Sequence, residues 1–269
     1  MTDVPSQLTA VPSRLGTTAL LDERGLVVEM EDIQPEVLHH GVLRLSVLTF
    51  LVDVSAGVTL DTDPEAWTFT TDLSLRMASR PAPGRVSAST TILRRGRRSA
   101  HGQVEVVDGT GGLVAAGAIG FAHVPRKAQD PPKPLVSPAM MTRRFSGHER
   151  LSKPLREEAG IVAVDPAGGV VEIAVRPEVC NPAGTLQGAM VALVAESAAE
   201  DMAGRRAGRP MVVTELDIRY LAQAKVGPVR TDCRPLGGQP DDPIEVRLTD
   251  TATGVVSTLV YARAVPTPA

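Results

Sequence analysis

The sequence predicts an α+β protein built from two copies of one unit, in which about five antiparallel strands wrap around a single buried helix. Three observations predict this architecture. The two halves resemble each other at a constant spacing, each half has one stretch that is apolar on all sides, and each continues in segments that alternate between apolar and polar residues. A helix that is apolar all round belongs inside a protein, and a period of two is typical of strands with one buried face.

The internal repeat is clearest in one predicted strand. Residues 71–76, Thr-Asp-Leu-Ser-Leu-Arg, resemble residues 214–219, Thr-Glu-Leu-Asp-Ile-Arg, which follow 143 positions later. The same spacing carries Asp53 onto Glu196, and we expect no gap between residues 27 and 84. A single spacing that holds over about sixty positions indicates a duplicated unit.

The domain boundaries follow from the repeat and from one proline-rich segment. A chain of 269 residues is long enough for two domains of ordinary size. Residues 125–134 are rich in proline and charge, which neither a helix interior nor a central strand tolerates. We therefore expect a first domain over 1–125, a linker over 126–150 and a second domain over 151–269.

Each half is expected to contain its elements in the same order. A short strand leads through an irregular stretch into the apolar helix, and four alternating segments joined by glycine-rich turns follow it. The predicted strands are residues 26–31, 67–77, 85–93, 102–107 and 113–123 in the first half and residues 170–175, 211–221, 229–234, 244–249 and 255–264 in the second; the predicted helices cover about 45–60 and about 186–203.

Composition excludes several classes of protein. Hydrophobic residues make up 43% of the chain and the formal net charge is −3, so neither a disordered chain nor a nucleic-acid-binding surface is expected. The apolar runs are too short to cross a membrane, and the first residues lack the pattern of a signal peptide, which predicts a cytoplasmic protein. Two cysteines and five scattered histidines offer no metal-ligand spacing, so we expect no bound metal.

One constellation of residues points to chemistry. The second helix is preceded by Asn181 and begins around Gly188, where a small residue lets a ligand approach the free backbone N–H groups. Such a helix start favours developing negative charge and is a candidate oxyanion site. Glu196 interrupts the same apolar helix, and Asp53 interrupts the first helix at the equivalent position. Two buried acids at equivalent positions suggest a shared role, although helix packing of the glycine and structural roles of the acids stay open.

These residues resemble a known family. The pattern Asn-x-x-Gly-Thr-Leu-Gln-Gly-Ala over 181–189, followed by an acid at Glu196, is similar to the hotdog-fold acyl-CoA thioesterases of the phenylacetate-pathway (PaaI-like) type. Residues 213–221 and the Val226-Gly227 turn resemble the second typical segment of that family. The likeness covers most of residues 165–265, and the first half joins it mainly through the internal repeat. The resemblance implies a double hotdog, in which two fused units replace a homodimer.

The resemblance also implies the roles of the site residues. In the family, the amide at the position of Gly188 polarises the thioester carbonyl, the side chain at the position of Asn181 lies nearby, and a carboxylate from the neighbouring unit activates water or attacks directly. Carried over, Gly188 and Asn181 face Asp53, while Glu196 faces the start of the first helix. The first half departs from the motif, so we expect one competent site and one degenerate site. The spacing of 143 places Leu45 opposite Gly188, Arg44 opposite Gln187 and Leu38 opposite Asn181.

Further residues are candidates for binding substrate. Gln187 stands where histidine is commoner in the family, and Thr214 is a hydroxyl residue on the strand after the helix, where a purely structural strand threonine is the alternative. Arg94 and Arg95 belong to a basic cluster at 94–98 that can meet the phosphates of coenzyme A, and a solvated hairpin turn is the alternative.

The predicted function is hydrolysis of acyl-CoA or aroyl-CoA thioesters, with coenzyme A entering only as part of the substrate and no other cofactor. A non-catalytic acyl-CoA or lipid-binding protein is the alternative, because the first half lacks the glycine of the motif. An enoyl-CoA hydratase is disfavoured, because that class has a histidine five residues after its acid. At that distance Asp53 is followed by Val58 and Glu196 by Asp201. We expect an acyl-CoA partner, no nucleic acid, no membrane insertion, and an oligomeric state that the sequence leaves open.

Overall fold

The structure is a computed structural model that describes residues 10–22, 25–130, 133 and 149–267. The expected linker over 126–150 therefore lies largely outside the described residues, as does His148. The described elements, in chain order, are β1 (Thr17–Asp22), β2 (Gly25–Met30), β3 (Leu38–His39), β4 (Val42–Leu43), α1 (Leu45–Leu60), β5 (Ala66–Met77), β6 (Val86–Arg95), β7 (Ser99–Asp108), β8 (Leu113–Pro125), α2 (Leu155–Glu158), β9 (Val162–Asp165), β10 (Val170–Ile173), α3 (Gly188–Ala207), β11 (Met211–Tyr220), β12 (Val229–Pro235), β13 (Ile244–Asp250) and β14 (Val255–Pro266).

One antiparallel sheet of twelve strands runs through the described chain in the order β1-β2-β6-β7-β8-β5-β11-β14-β13-β12-β10-β9. The halves join at its centre, where β5 pairs with β11 and places Leu75 opposite Leu216. The two strands that carry the clearest sequence repeat are thus hydrogen-bonded to each other. The α+β double hotdog predicted from the sequence is confirmed.

The two long helices are enclosed by this sheet. Eleven of the sixteen residues of α1 are buried, and α3 is buried on all sides over its first two turns. α1 has the predicted bounds, whereas α3 begins at Gly188 because the side chain of Gln187 caps it. It continues to Ala207 and ends where Gly208 takes the left-handed conformation, with a φ of 64°.

Each half contributes six strands to the sheet rather than the expected five. The additional strands are β1 and β9, which lie at the two outer edges. All four residues of β9 are exposed, so its sequence lacks the apolar alternation by which a strand is recognised. Among the described residues, no helix is long and apolar enough to cross a membrane.

The repeat contains a gap that the sequence comparison did not predict. The identical triplets Pro35–Val37 and Pro177–Val179 form equivalent 3₁₀ turns that lie 142 positions apart. The next matching feature, a glycine with positive φ at Gly41 and Gly184, has the spacing of 143. The first half is therefore one residue shorter between the 3₁₀ turn and the helix, and the expectation of an ungapped match is wrong at this point.

Candidate active site

A cavity of about 1030 Å³ lies between the two halves at the start of α3. The first half lines it with one face of α1 and with the beginning of β5. The second half lines it with the loop that leads into α3 and with the end of β11. The cavity brings together four residues that the sequence singled out: Asp53, Asn181, Gln187 and Gly188.

Gln187 determines which backbone groups are free at the start of α3. Its side-chain oxygen Oε1 accepts hydrogen bonds from the N–H groups of Ala189, at 2.7 Å, and Met190, at 3.2 Å. These are the second and third amides of the helix, and the first belongs to Gly188. Within the described residues, no acceptor binds the Gly188 N–H, so this amide is available to a ligand in the cavity.

Asp53 of the first half faces Gly188 of the second. Its Oδ1 accepts a hydrogen bond from Thr70 Oγ1 at 2.5 Å, while its Oδ2 lies 3.7 Å from the position that a Cβ atom on Gly188 would occupy. Burial raises the pKa of the Asp53 carboxyl above its ordinary value, and the hydrogen bond from Thr70 opposes part of that rise. A carboxylate and a free helix amide thus converge from opposite halves of the chain.

Tyr220 is a further residue of this site, and sequence reasoning did not select it. Its hydroxyl donates to the backbone oxygen of Gly188 at 3.1 Å. A Cβ atom on Gly188 would lie 3.3 Å from that hydroxyl oxygen, so any side chain at this position would press on Tyr220. Burial and the neighbouring Asp53 charge raise the pKa of Tyr220 well above its ordinary value, which keeps the phenol protonated as a donor.

Asn181 shapes the loop that precedes α3. Its Oδ1 accepts hydrogen bonds from the N–H groups of Ala183, at 3.0 Å, and Thr185, at 3.2 Å, so the side chain fixes a turn in the cavity wall. Leu38 pairs with Leu43 as Cys180 pairs with Leu186, so the next residue, His39, is the structural counterpart of Asn181. The assignment of Leu38 to that position is therefore corrected.

At the start of α1, the equivalent region of the first half, a buried acid of the second half occupies the helix amide. Glu196 is fully buried and accepts hydrogen bonds from the N–H of Leu45, at 2.7 Å, and from Ser46 Oγ, at 2.5 Å. Leu45 is the first residue of α1, so Glu196 occupies the amide that corresponds to the Gly188 N–H. Arg44 Nη1 lies 3.5 Å from Glu196 Oε2 and donates to Glu200 Oε2 at 2.8 Å.

A smaller cavity of about 370 Å³ marks this closed site. His39 and Glu200 line it, with 3.4 Å between His39 Nε2 and Glu200 Oε2. Burial, aided by the Arg44 charge, lowers the pKa of His39 to about 3, so its imidazole is neutral near pH 7. The spacing of 143 carries Gly57, which lines the large cavity, onto Glu200. The Glu200 side chain and its hydrogen bond from Arg44 therefore fill space that is open on the other side.

The remaining predicted residues do not line the large cavity. Thr214 is not among the residues that line it, and the hydroxyl that contacts Asp53 belongs to Thr70 in the strand of the same half. Arg94 and Arg95 are exposed in the β6–β7 hairpin and do not line it either. The spacing of 143 carries Thr214 onto Thr71, the neighbour of Thr70, so the repeat itself contains a signal for a hydroxyl in this region.

Aromatic residues also line the cavity, and sequence reasoning did not select them. The chain has seven aromatic residues of the Phe, Trp and Tyr types, and four of them line this cavity: Phe50, Trp67, Phe69 and Tyr220. Trp67 and Phe69 stack with ring centroids 6.0 Å apart. No group of three or more potential metal ligands occurs within the described residues.

Two thioesterase family models match the chain. The acyl-CoA thioesterase C-terminal domain model matches residues 34–118, and the thioesterase superfamily model matches residues 183–237. One match in each half confirms the predicted resemblance to hotdog-fold thioesterases, while the PaaI-like subtype stays a prediction. No curated protein sequence matches the chain.

Solved structures share the fold over most of the chain. The tesB protein of Mycobacterium avium subs paratuberculosis is 11% identical with a TM-score of 0.62, over 96% of this chain and 98% of that one. The 12:0-ACP thioesterase from Umbellularia californica is 10% identical with a TM-score of 0.60, over 90% and 97%. An acyl-ACP thioesterase from Bacteroides thetaiotaomicron is 12% identical with a TM-score of 0.59, over 89% and 97%. At these identities the likeness establishes the fold.

Proposed function

Since the chain is a thioester hydrolase of the hotdog fold, we propose that it hydrolyses acyl-CoA or aroyl-CoA thioesters at a single site, formed by Gly188 and Asp53 across the two halves. The observation that carries the proposal is the place of Asp53 Oδ2, 3.7 Å from where a Cβ atom on Gly188 would lie, at a helix start whose first amide has no acceptor among the described residues. Asp53 and Glu196 occupy equivalent positions, but only Asp53 leaves the opposing amide open.

The Gly188 N–H supplies the oxyanion site. A thioester carbonyl oxygen that accepts from this amide gains negative charge as the tetrahedral intermediate forms, and the N-terminal end of α3 stabilises that charge. The hydroxyl of Tyr220 donates to the backbone oxygen of Gly188 and so helps to hold the first residue of α3 in place before substrate binds.

Asp53 acts as the general base. A water molecule between Asp53 Oδ2 and the thioester carbonyl carbon attacks that carbon, a C–O bond forms, and Oδ2 takes the proton of the water. The intermediate then collapses, the C–S bond breaks, and the proton passes from Asp53 to the departing thiolate of coenzyme A. A raised pKa makes the ionised form of Asp53 a stronger base.

The lining of the cavity supports an acyl group of considerable size. Its volume of about 1030 Å³ lies at the upper end of ordinary ligand pockets. Phe50, Trp67 and Phe69 all belong to the first half, and they place an aromatic wall beside the catalytic acid. Aliphatic chains and aryl groups both gain from burial against such a wall.

A panel of acyl-CoA thioesters, followed by the appearance of free thiol, tests the proposal. We expect turnover with medium-chain or aryl acyl groups, and the Asp53→Asn variant should lose it while binding the same thioesters. Thioester binding without thiol release across the whole panel would instead support the non-catalytic binding protein and overturn the proposal.

A further inference from the structure

Four exposed arginines stand close together on one hairpin of the first half. Arg94 and Arg95 end β6, Arg97 and Arg98 lie in the turn that leads to β7, and we call residues 94–98 the basic hairpin. The turn is held by the Gly96 N–H, which donates to the Ser99 backbone oxygen at 2.8 Å. Four like charges within five residues repel one another, so an anion that binds among them would relieve a real electrostatic cost.

The arginines of the basic hairpin lack acidic partners in the described part of the chain. Twelve other described arginines form ion pairs with acids, but none of these four does. Arg95 alone is engaged with the fold, through an Nη2 bond of 3.0 Å to the Thr59 backbone oxygen at the end of α1. The guanidinium groups of Arg94, Arg97 and Arg98 are therefore available to a ligand.

The basic hairpin borders the active-site cavity. The backbone oxygen of Arg98 accepts from the His123 N–H at 2.9 Å, and both chain neighbours of His123, Ala122 and Val124, line the cavity. Thr59, which Arg95 contacts, follows the cavity residue Val58. From Asp53 to Thr59 the helix advances about 9 Å. The guanidinium groups therefore lie farther than this from the reacting carbonyl, by roughly the length of an extended arginine side chain.

The corresponding hairpin of the second half has a different charge. It connects β12 to β13 through residues 236–243 and contains Asp241 and Asp242 but no arginine. It contacts the end of α3, where Arg206 donates to the Gly237 backbone oxygen at 3.0 Å and the preceding residue, Arg205, lines the small cavity. The basic hairpin thus lies on the side of the free helix amide, and the hairpin with two aspartates lies on the side of the bound one.

We propose that the basic hairpin binds the phosphate groups at the 3′-phosphoadenosine diphosphate end of coenzyme A. This inference rests on the proposed function, because it assigns the other end of the same substrate. Arg forms bidentate bonds with phosphate, and coenzyme A presents three phosphate groups within a short span, which matches closely spaced guanidinium groups. The pantetheine chain spans the distance from the hairpin to Asp53 and Gly188.

The experiment compares two thioesters with the same acyl group, one of coenzyme A and one of pantetheine, which lacks the nucleotide. The preference of the enzyme is the ratio of the two kcat/KM values. We expect the Arg97→Gln/Arg98→Gln variant to lose about tenfold of the preference for the coenzyme A thioester. The matched control is Arg205→Gln/Arg209→Gln, which removes the same charge from exposed arginines beside the closed site and should keep the preference.

Binding of adenosine 3′,5′-bisphosphate, measured by calorimetry, separates this inference from the proposed function. If the native protein hydrolyses neither thioester but binds the bisphosphate, and the hairpin variant binds it about tenfold more weakly, the proposed function fails and the phosphate site stands. An unchanged preference in the hairpin variant overturns the inference. A loss of turnover confined to thioesters of an acidic acyl carrier protein also overturns it, because the hairpin would then bind a protein surface.

Discussion

The N–H of Leu45 donates to Glu196 Oε1 at 2.7 Å, so the first amide of α1 is bound by a carboxylate of the opposite half. The equivalent amide of α3 is free because Asp53 is one methylene shorter than Glu196 and bonds to Thr70 instead. A difference of one methylene in the length of the acid therefore distinguishes a helix start whose amide is bound within the protein from one whose amide is open to a substrate.

The two acids should respond differently to loss of charge. Asp53→Asn removes the general base and should lower kcat by about a hundredfold or more, whereas Glu196→Gln should leave turnover within a few fold. Steady-state kinetics on a single acyl-CoA measures both, and thermal unfolding of each variant controls for loss of fold. The opposite pattern, a silent Asp53→Asn and an inactive Glu196→Gln, would place catalysis at the other helix start.

A methyl group at Gly188 should damage the site through Tyr220. The added Cβ would lie 3.3 Å from the Tyr220 hydroxyl oxygen, so the phenol or the helix start must shift. We expect Gly188→Ala to reduce kcat by about tenfold to a hundredfold. Tyr220→Phe removes the crowding atom, and in the double variant it should restore part of the loss. Purely additive effects in this double-mutant cycle would show that Tyr220 does not transmit the damage.

Removing the hydroxyl beside Asp53 should shift the pH profile. The Thr70 hydrogen bond lowers the pKa of Asp53, so Thr70→Val raises that pKa and the carboxylate is lost at a higher pH. The acidic limb of kcat/KM against pH should move upward, while Thr70→Ser, which keeps the hydroxyl, should leave it in place. An unmoved limb in Thr70→Val would mean that Asp53 is not the group titrating there.

The closed site should make stability depend on pH. Burial raises the pKa of Glu200 from 4.5 to about 8, with Arg44 opposing the rise and Glu196 adding to it. A carboxyl whose pKa is higher in the folded state contributes stability at low pH, and this contribution falls as the pH rises from about 5 to about 8. Denaturant unfolding at several pH values should show the decline, and Glu200→Gln should flatten it. A decline of the same slope in Glu200→Gln would assign it to other groups.

Much of the fold could be predicted because the relevant signals are periodic and occur twice. The bounds of α1 and the order of the elements along the chain follow from alternation and from apolar helices, and each half checks the other. The edge strands β1 and β9 escaped because a strand such as β9, exposed on both faces, has no alternation to detect. The one-residue gap before α1 escaped because two short loops carry too few residues to fix an alignment.

The facing of Asp53 and Gly188 was predicted from a resemblance, and the remaining contacts needed the structure. Thr70 and Tyr220 reach the site from two strands that pair only when the halves join, and nothing local in either strand marks the residue that points into the cavity. The hydrogen bond from Arg44 to Glu200 likewise joins residues 156 positions apart.

The pairing of β5 with β11 also determines whether either half could form the proposed site by pairing with a copy of itself. If two first halves associated through this strand, Asp53 would face Leu45, and if two second halves did so, Glu196 would face Gly188. Neither homodimer would bring the short acid to the glycine. The first half retains the short acid and the second half retains the glycine. Neither half could therefore form the proposed site by pairing with itself.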